Sequence, residues 1–297
     1  MKVKLKPAIK SYLWGGTKLH NEYGKDGETI SESWELSFHK DGLTIIDSGE
    51  NKGKTLSEVC TKKDFGENCA AFPFFPTLIK MIDADKPLSV QVHPSDEYAL
   101  KNEGQFGKTE MWHVLDAEDG AYLYLGLNRS VDKEEFARAI ENKSVCDLLN
   151  KVPVKKGDTY FIESGTIHAI GAGITLYEVQ QNSSLTYRVY DFDRVDKAGN
   201  RRELHIEKAK AVADLDKYEV PDPARKGFLG GCPYFSTYKV KGSATVGEKD
   251  SFVCVTVTEG EYDADGIALS KGDSFFVSAG EKTELKGDGE FLSTCVK

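Results

Sequence analysis

The segment LSVQVHPSDEYAL, residues 88 to 100, sets an amide and an imidazole two residues apart, Gln91 and His93, directly before Pro94. Side chains of a β-strand alternate between faces, so Gln91 and His93 share one face and Val90 and Val92 the other. Taken alone, such a pair is more often the hydrogen-bonded end of a strand than a site. Imidazole and carboxylate are, however, zinc-ligating types, and both recur farther on, in TEMWHVL and at His168. Within TEMWHVL, Glu110 and His113 lie three apart and face opposite sides, whereas Lys108 and Glu110 share a side; spacing does not choose between them. A second group of charges sits in LYEVQQNSSLTYRVYDFDR. It reads as a hairpin turning at Asn182, Ser183 and Ser184, which would bring Glu178 near Arg188. By default such a pair is a structural salt bridge, but a guanidinium fork also suits a phosphate or a developing oxyanion.

Short strands separated by Gly, Asp and Asn turns must position these groups, among them SESWELSFH, DTYFIE, SFVCVTVT and EFLSTCV. That spacing favours antiparallel sandwiches or barrels over alternating βαβ units. Helical pattern is confined to residues 130–151, where Ser130 or Asp132 can cap a helix burying Phe136, Ile140 and Leu148, to ELHIEKAKAVADL, and to KTLSEVCTKKDFG. An internal repeat settles the organisation. KGDTYFIESGTIH (156–168) and KGDSFFVSAGEKT (271–283) match in register, with His168 replaced by Thr283. Two copies of one supersecondary unit imply two barrels. We expect a mainly β protein of two jelly-roll barrels: residues 1–228, with a small helical insertion near 131–151, and a degenerate, metal-free barrel at 229–297. The Pro- and Gly-rich PDPARKGFLGGCP suits the boundary.

Composition narrows the function classes. The chain has 297 residues, 39% hydrophobic and 29% charged, as expected of a globular protein. Its formal net charge of -9 argues against a surface built for nucleic acid, while leaving room for a local basic pocket that accepts a small anion. Neither a membrane segment nor a signal peptide is evident, so a cytoplasmic protein is expected, with a monomer compatible. The six cysteines are scattered without a CxxC, which implies reduced thiols.

Gly157, Gly165 and His168 fit the spacing of the second cupin motif, with Glu163 and Ala172 departing from its common residues. More broadly the chain resembles the type I phosphomannose isomerases of the short bacterial kind. The likeness is carried by YLWGG (12–16), SESWELS (31–37), LSVQVHPSDEYA (88–99), GKTEMWHVLDA (107–117), FIESGTIHAIGAG (161–173) and LYEVQQNSSLTYRVYDFDR (176–194). The resemblance implies one zinc ion per chain, held by Gln91, His93, Glu110 and His168. It implies catalytic roles for Arg188, Glu178 and Lys108, and substrate or phosphate contacts from Arg194 and Lys108. His113 is left as a structural or outer-shell residue. His20, His39 and His205 show no ligand context, and Trp14 and Trp34 read as core. The implied reaction interconverts mannose 6-phosphate and fructose 6-phosphate through an enediol, with a small sugar phosphate as the partner. The alternatives are a metal-dependent cupin oxygenase, against which Gln91 and the cations weigh, and a non-catalytic sugar-phosphate-binding cupin, against which the full set of ligands and cations weighs.

Overall fold

The structure, a computed structural model, describes residues 1–195 and 198–297. Its strands, among the described residues, form four sheets. The first barrel closes a five-stranded sheet (in order Tyr187–Tyr190, Val90–Val92, His168–Ile170, Tyr122–Leu127, Leu149–Pro153) over a six-stranded one (Thr159–Ile162, Glu110–Ala117, Ile174–Gln181, Thr77–Ala84, Glu32–Leu36, Ala8–Lys10). The second closes a seven-stranded sheet over a four-stranded one. All strand pairings are antiparallel within these sheets, as the turn-rich sequence demands.

The sheets stack in layers, and alternation shows how. Along Thr77–Ala84 and Ile174–Gln181 every residue is buried, so both faces are covered. Ile79, Met81, Tyr177 and Val179 pack against Phe235, Cys254, Phe276 and Leu292 of the second barrel. Ile82, Leu176 and Trp112 point the other way, into the first barrel, against Leu123 and Leu125 of the five-stranded sheet. The six- and seven-stranded sheets thus sit back to back in the middle of the molecule. Polar groups also cross this inter-barrel layer. Buried Lys25 lies 2.7 Å from Glu35 and donates to the Gly272 carbonyl, while Ser33 and Ser274 donate to Glu35.

The helical insertion covers the outer face of the five-stranded sheet. Helix Lys133–Glu141 starts at Asp132, whose side chain accepts from the Glu135 amide at 2.7 Å. Phe136 and Ile140 of this helix, Val145, and Ala209 of helix Ile206–Val212 close over Val90, Val92 and Val189. The third expected helical stretch forms two short helices, Leu56–Val59 and Lys62–Phe65, each opened by a Thr capping box.

The two copies of the repeat occupy matching places. Gly157 (φ 92°) and Gly272 (φ 94°) make the same left-handed turn into strands Thr159–Ile162 and Ser274–Val277, each on its barrel's inner sheet. His168 and Thr283 then each open a strand on the outer sheet. The second barrel's interior is filled by apolar side chains, among them Val255, Val257, Phe275 and Phe291.

Two features bear on the boundary expected at 228/229. It falls inside strand Gly227–Cys232. The first strand of the chain, Lys2–Lys6, pairs with Ser274–Val277 in the seven-stranded sheet, so the C-terminal barrel includes the N-terminus of the chain. Alternation in KVKLK marks a strand but does not identify its partner.

Candidate metal centre and active-site cleft

The parity read from LSVQVHP holds. With Val90 and Val92 packed beneath the helices, Gln91 and His93 face the barrel interior. His168 is the Cα register partner of Gln91, and its Nε2 lies 3.4 Å from Gln91 Nε2. On Glu110–Ala117, Met111 and Leu115 belong to the inter-barrel layer while Trp112 and Val114 face inward, which carries Glu110 inward too. His113 faces away, with Nδ1 2.7 Å from Thr159 Oγ1. The ligating atoms of His93, Glu110 and His168 all lie within 4.8 Å of one another, and no other such group of His, Cys, Asp or Glu exists among the described residues. His20, His39 and His205 stand apart from it.

Each histidine of this group is aimed by the backbone. His93 Nδ1 is 2.8 Å from the Leu185 carbonyl and His168 Nδ1 is 2.8 Å from that of Thr166. A carbonyl only accepts, so Nδ1 carries the proton in both rings and both Nε2 lone pairs face the centre. His168 Nε2 is 3.3 Å from Glu110 Oε1, and His93 Nε2 is 3.7 Å from Oε2. Glu110 Oε1 is buried and accepts no hydrogen bond. Lys108 Nζ stands 2.5 Å from Glu110 Oε2 and 3.2 Å from His93 Nε2.

The electrostatics follow from burial and these neighbours. Burial, then the Lys108 charge, pushes His93 well below the usual imidazole range and takes His168 to about 3. Burial lifts Glu110 to about 7, partly countered by Lys108. Burial would lift Glu178 as well, but Lys108 and Lys80 outweigh it and hold its carboxyl at about 2. Glu178 lies 3.2 Å from Lys80 and 3.9 Å from Lys108, and Trp112 Nε1 donates to its Oε2 at 2.9 Å.

Beside this group opens one cleft of about 390 Å³, lined by Lys80, Lys108 and Glu178 but not by the fully buried His93, Glu110 and His168 themselves. Gln91, Lys108, Glu178 and Arg188 all contribute to it. Trp14 and Trp34, expected in the core, are indeed buried, at 3% and 4% exposure, yet they also form part of its wall. Two expectations need correction. Strands Ile174–Gln181 and Tyr187–Tyr190 are not a hairpin: the turn at 182–184 carries the chain from the six-stranded sheet to the five-stranded one. Glu178 and Arg188 therefore face the same cleft from opposite sheets, and Glu178 pairs with lysines instead. Arg194 is not among the cleft's lining residues. Its guanidinium is spent on Asp191 and the Pro87 carbonyl, and Arg202 takes the place at the cleft.

Sequence reasoning passed over Lys80, Glu32 and Arg202. Lys80 had a signal: it is the one cation in the otherwise apolar opening of TLIKMIDA, and a buried lysine needs partners. It finds Glu178 and, at 3.6 Å, Glu32. Arg202 lies in irregular chain, where no period points to a face.

A zinc ion fits the residues present. Two neutral imidazoles with pinned tautomers, a carboxylate with an unclaimed oxygen and an adjacent amide are a suitable donor set. One carboxylate among neutral ligands would leave a zinc centre with a net charge near +1.

The chain matches the family described as "Phosphomannose isomerase type I, catalytic domain" over residues 2–119, and that described as "Mannose-6-phosphate isomerase, cupin domain" over residues 225–296. It is 37% identical over 308 residues to the mannose-6-phosphate isomerase of Streptococcus mutans, covering 98% of this chain and 96% of that one. A probable mannose-6-phosphate isomerase of Bacillus subtilis is 38% identical over 310 residues, with the same coverage. The crystal structure of the mannose 6-phosphate isomerase from Bacillus subtilis superposes with a TM-score of 0.86 at 34% identity, covering 99% of each chain. A putative mannosephosphate isomerase from Archaeoglobus fulgidus gives 0.83 at 25% identity, over 99% of this chain and 98% of that one.

Proposed function

This chain belongs to the type I phosphomannose isomerases, and from that premise we propose that it interconverts mannose 6-phosphate and fructose 6-phosphate by moving a proton between C2 and C1 through an enediol. The observation that carries the metal-dependent form of this reading is the convergence of two tautomer-fixed imidazoles on a buried carboxylate. Gln91, His93, Glu110 and His168 would hold a zinc ion. Such an ion would supply positive charge that stabilises the oxyanion of the enediol.

The remaining work falls to the chain's own side chains. Glu178 takes the proton from C2 and returns it at C1. It is preferred to Lys108 because the Lys108 ammonium is engaged by Glu110 and His93, whereas Glu178 is a carboxylate at every working pH. Trp112 fixes the orientation of that carboxylate. A carboxyl held at about 2 is a weak base, so the C2–H bond must be made acidic by fixed positive charge. Arg188 contributes to this. It lines the cleft, carries no ion pair among the described residues, and donates only to neutral acceptors, Ser89 Oγ and the Glu203 carbonyl. Its charge is therefore available to a developing oxyanion. Trp14 and Trp34 wall the cleft and restrict water.

The deciding experiment is isomerisation of mannose 6-phosphate by the purified protein, before chelation, after it, and after zinc is restored. Activity that disappears and returns with zinc supports both reaction and metal. A folded, zinc-loaded protein without turnover overturns the reading.

A further inference from the structure

The mouth of the cleft carries more positive charge than the protein neutralises. Arg188 and Arg202 both line it, together with the hydroxyls of Ser89, Ser184 and Thr186. Arg188 has no ion-paired carboxylate among the described residues. Arg202 shares a single buried carboxylate, Asp191, with Arg194. Among the described residues, these three guanidiniums thus have Asp191 as their one ion-pair partner. The Arg202–Asp191 contact is a fork: Nε donates to Oδ2 at 2.8 Å and Nη2 to Oδ1 at 2.5 Å. This fixes the guanidinium plane, with Nη1 left without a protein acceptor among the described residues. Arg202 is one-third exposed, as a group facing a ligand from a cleft's rim should be.

Position along the cleft follows from the contacts. Gln91, at the metal end, is the register partner of Arg188. Arg188 Nη1 reaches outward to the carbonyl of Glu203, the residue after Arg202. The charges therefore run from the metal centre through Arg188 to Arg202 at the rim. A substrate with its reacting carbons at the metal and its anionic group at the far end of a six-carbon chain matches that order.

We propose that Arg202, oriented by Asp191, is the residue that grips the substrate's phosphate and sets the preference for phosphorylated over free sugar. Arg194, sharing the same carboxylate, only helps to hold Asp191 in place. A planar fork already fixed on one side presents its remaining donors to a phosphate with little further ordering. The assignment to substrate phosphate rests on the isomerase reading above, whereas the anion site itself does not.

The test compares R202M and R202K with the unaltered protein, and uses R201M as the control, since Arg201 is exposed and pairs with Asp193 outside the cleft. In R202M, KM for mannose 6-phosphate should rise about 10- to 100-fold, the usual cost of a lost charge-assisted contact, with kcat within a few-fold. Competitive inhibition by inorganic phosphate should weaken by a similar factor. R202K should recover part of both, and R201M should change neither. Unchanged KM and phosphate inhibition in R202M would overturn the proposal, as would an equal loss in R201M or a fall in kcat at constant KM. Direct titration of the zinc-loaded protein with inorganic phosphate, followed by 31P NMR, needs no turnover. Binding that depends on Arg202 in a protein unable to isomerise mannose 6-phosphate would overturn the isomerase reading and retain the anion grip. Turnover with phosphate binding indifferent to R202M would do the reverse.

Discussion

Lys80 and Glu178 are register partners on adjacent strands of the six-stranded sheet, and their charged ends meet 3.2 Å apart inside the first barrel. Directly paired residues with opposite charge stabilise a sheet modestly. Here the pairing has a second effect, because Lys80 and Lys108 together hold the Glu178 carboxyl far down and Lys80 is in turn held charged by Glu32 and Glu178 despite its burial.

Glu178→Gln keeps the shape and removes the base. We expect kcat to fall by about 10²- to 10⁴-fold, the range associated with a positioned proton-transfer group. Exchange of the C2 proton with solvent should fall in parallel. Exchange at the unaltered rate would remove Glu178 from the reaction.

Lys80→Gln should act on the pH profile. Removing one of two cations beside Glu178 raises its pKa, so the acid limb of kcat/KM should move to higher pH while the alkaline limb stays. An acid limb at its original position would mean that the group titrating there is not Glu178.

How far the site could be read from sequence depended on the kind of backbone carrying each residue. Alternation placed Gln91 and His93 on one face, and the valines beside them are indeed under the helices. It likewise separated Glu110 from His113, though resemblance was needed to choose the inner member. Alternation reports faces and is silent on partners. For that reason the strands on either side of 182–184 read as a hairpin when they cross between sheets, and the first strand gave no sign of its distant partner. Arg194 and Arg202 lie in irregular chain, where spacing carries no directional information, and only the three-dimensional contacts with Asp191 distinguish them.

His113 makes a prediction about acid stability. Burial holds its folded-state pKa at about 3, below the ordinary imidazole value. Between about pH 3 and 6.5 the unfolded chain therefore binds a proton that the folded one does not, and stability falls as pH falls, by at most about 1.4 kcal/mol per pH unit for this group. His113→Gln should flatten that slope in urea melts of the metal-free protein between pH 7 and 5. An identical slope would show that His113 is not the source.

The Lys25–Glu35 pair lies buried between the barrels. Lys25→Met strands a carboxylate there and should cost about 3–5 kcal/mol, whereas the double change Lys25→Met with Glu35→Leu should cost much less than the two single changes added together. Urea midpoints for the four proteins measure this coupling. Simple additivity would mean that the charges do not interact in the folded state.

The pairing of Lys2–Lys6 with Ser274–Val277 also governs how the protein can be made. On the ribosome the first strand emerges about 270 residues before its partner, which at about 5–20 residues per second is a delay of roughly a quarter of a minute to a minute. Throughout that time an alternating lysine-bearing strand, paired on one side only with Ile45–Ile46, keeps its other edge unmatched, and the lysines at positions 2, 4 and 6 discourage it from joining other nascent chains. Synthesis of the second barrel thus completes the placement of strand Lys2–Lys6, and a nascent chain stopped before residue 274 would leave one edge of that strand open.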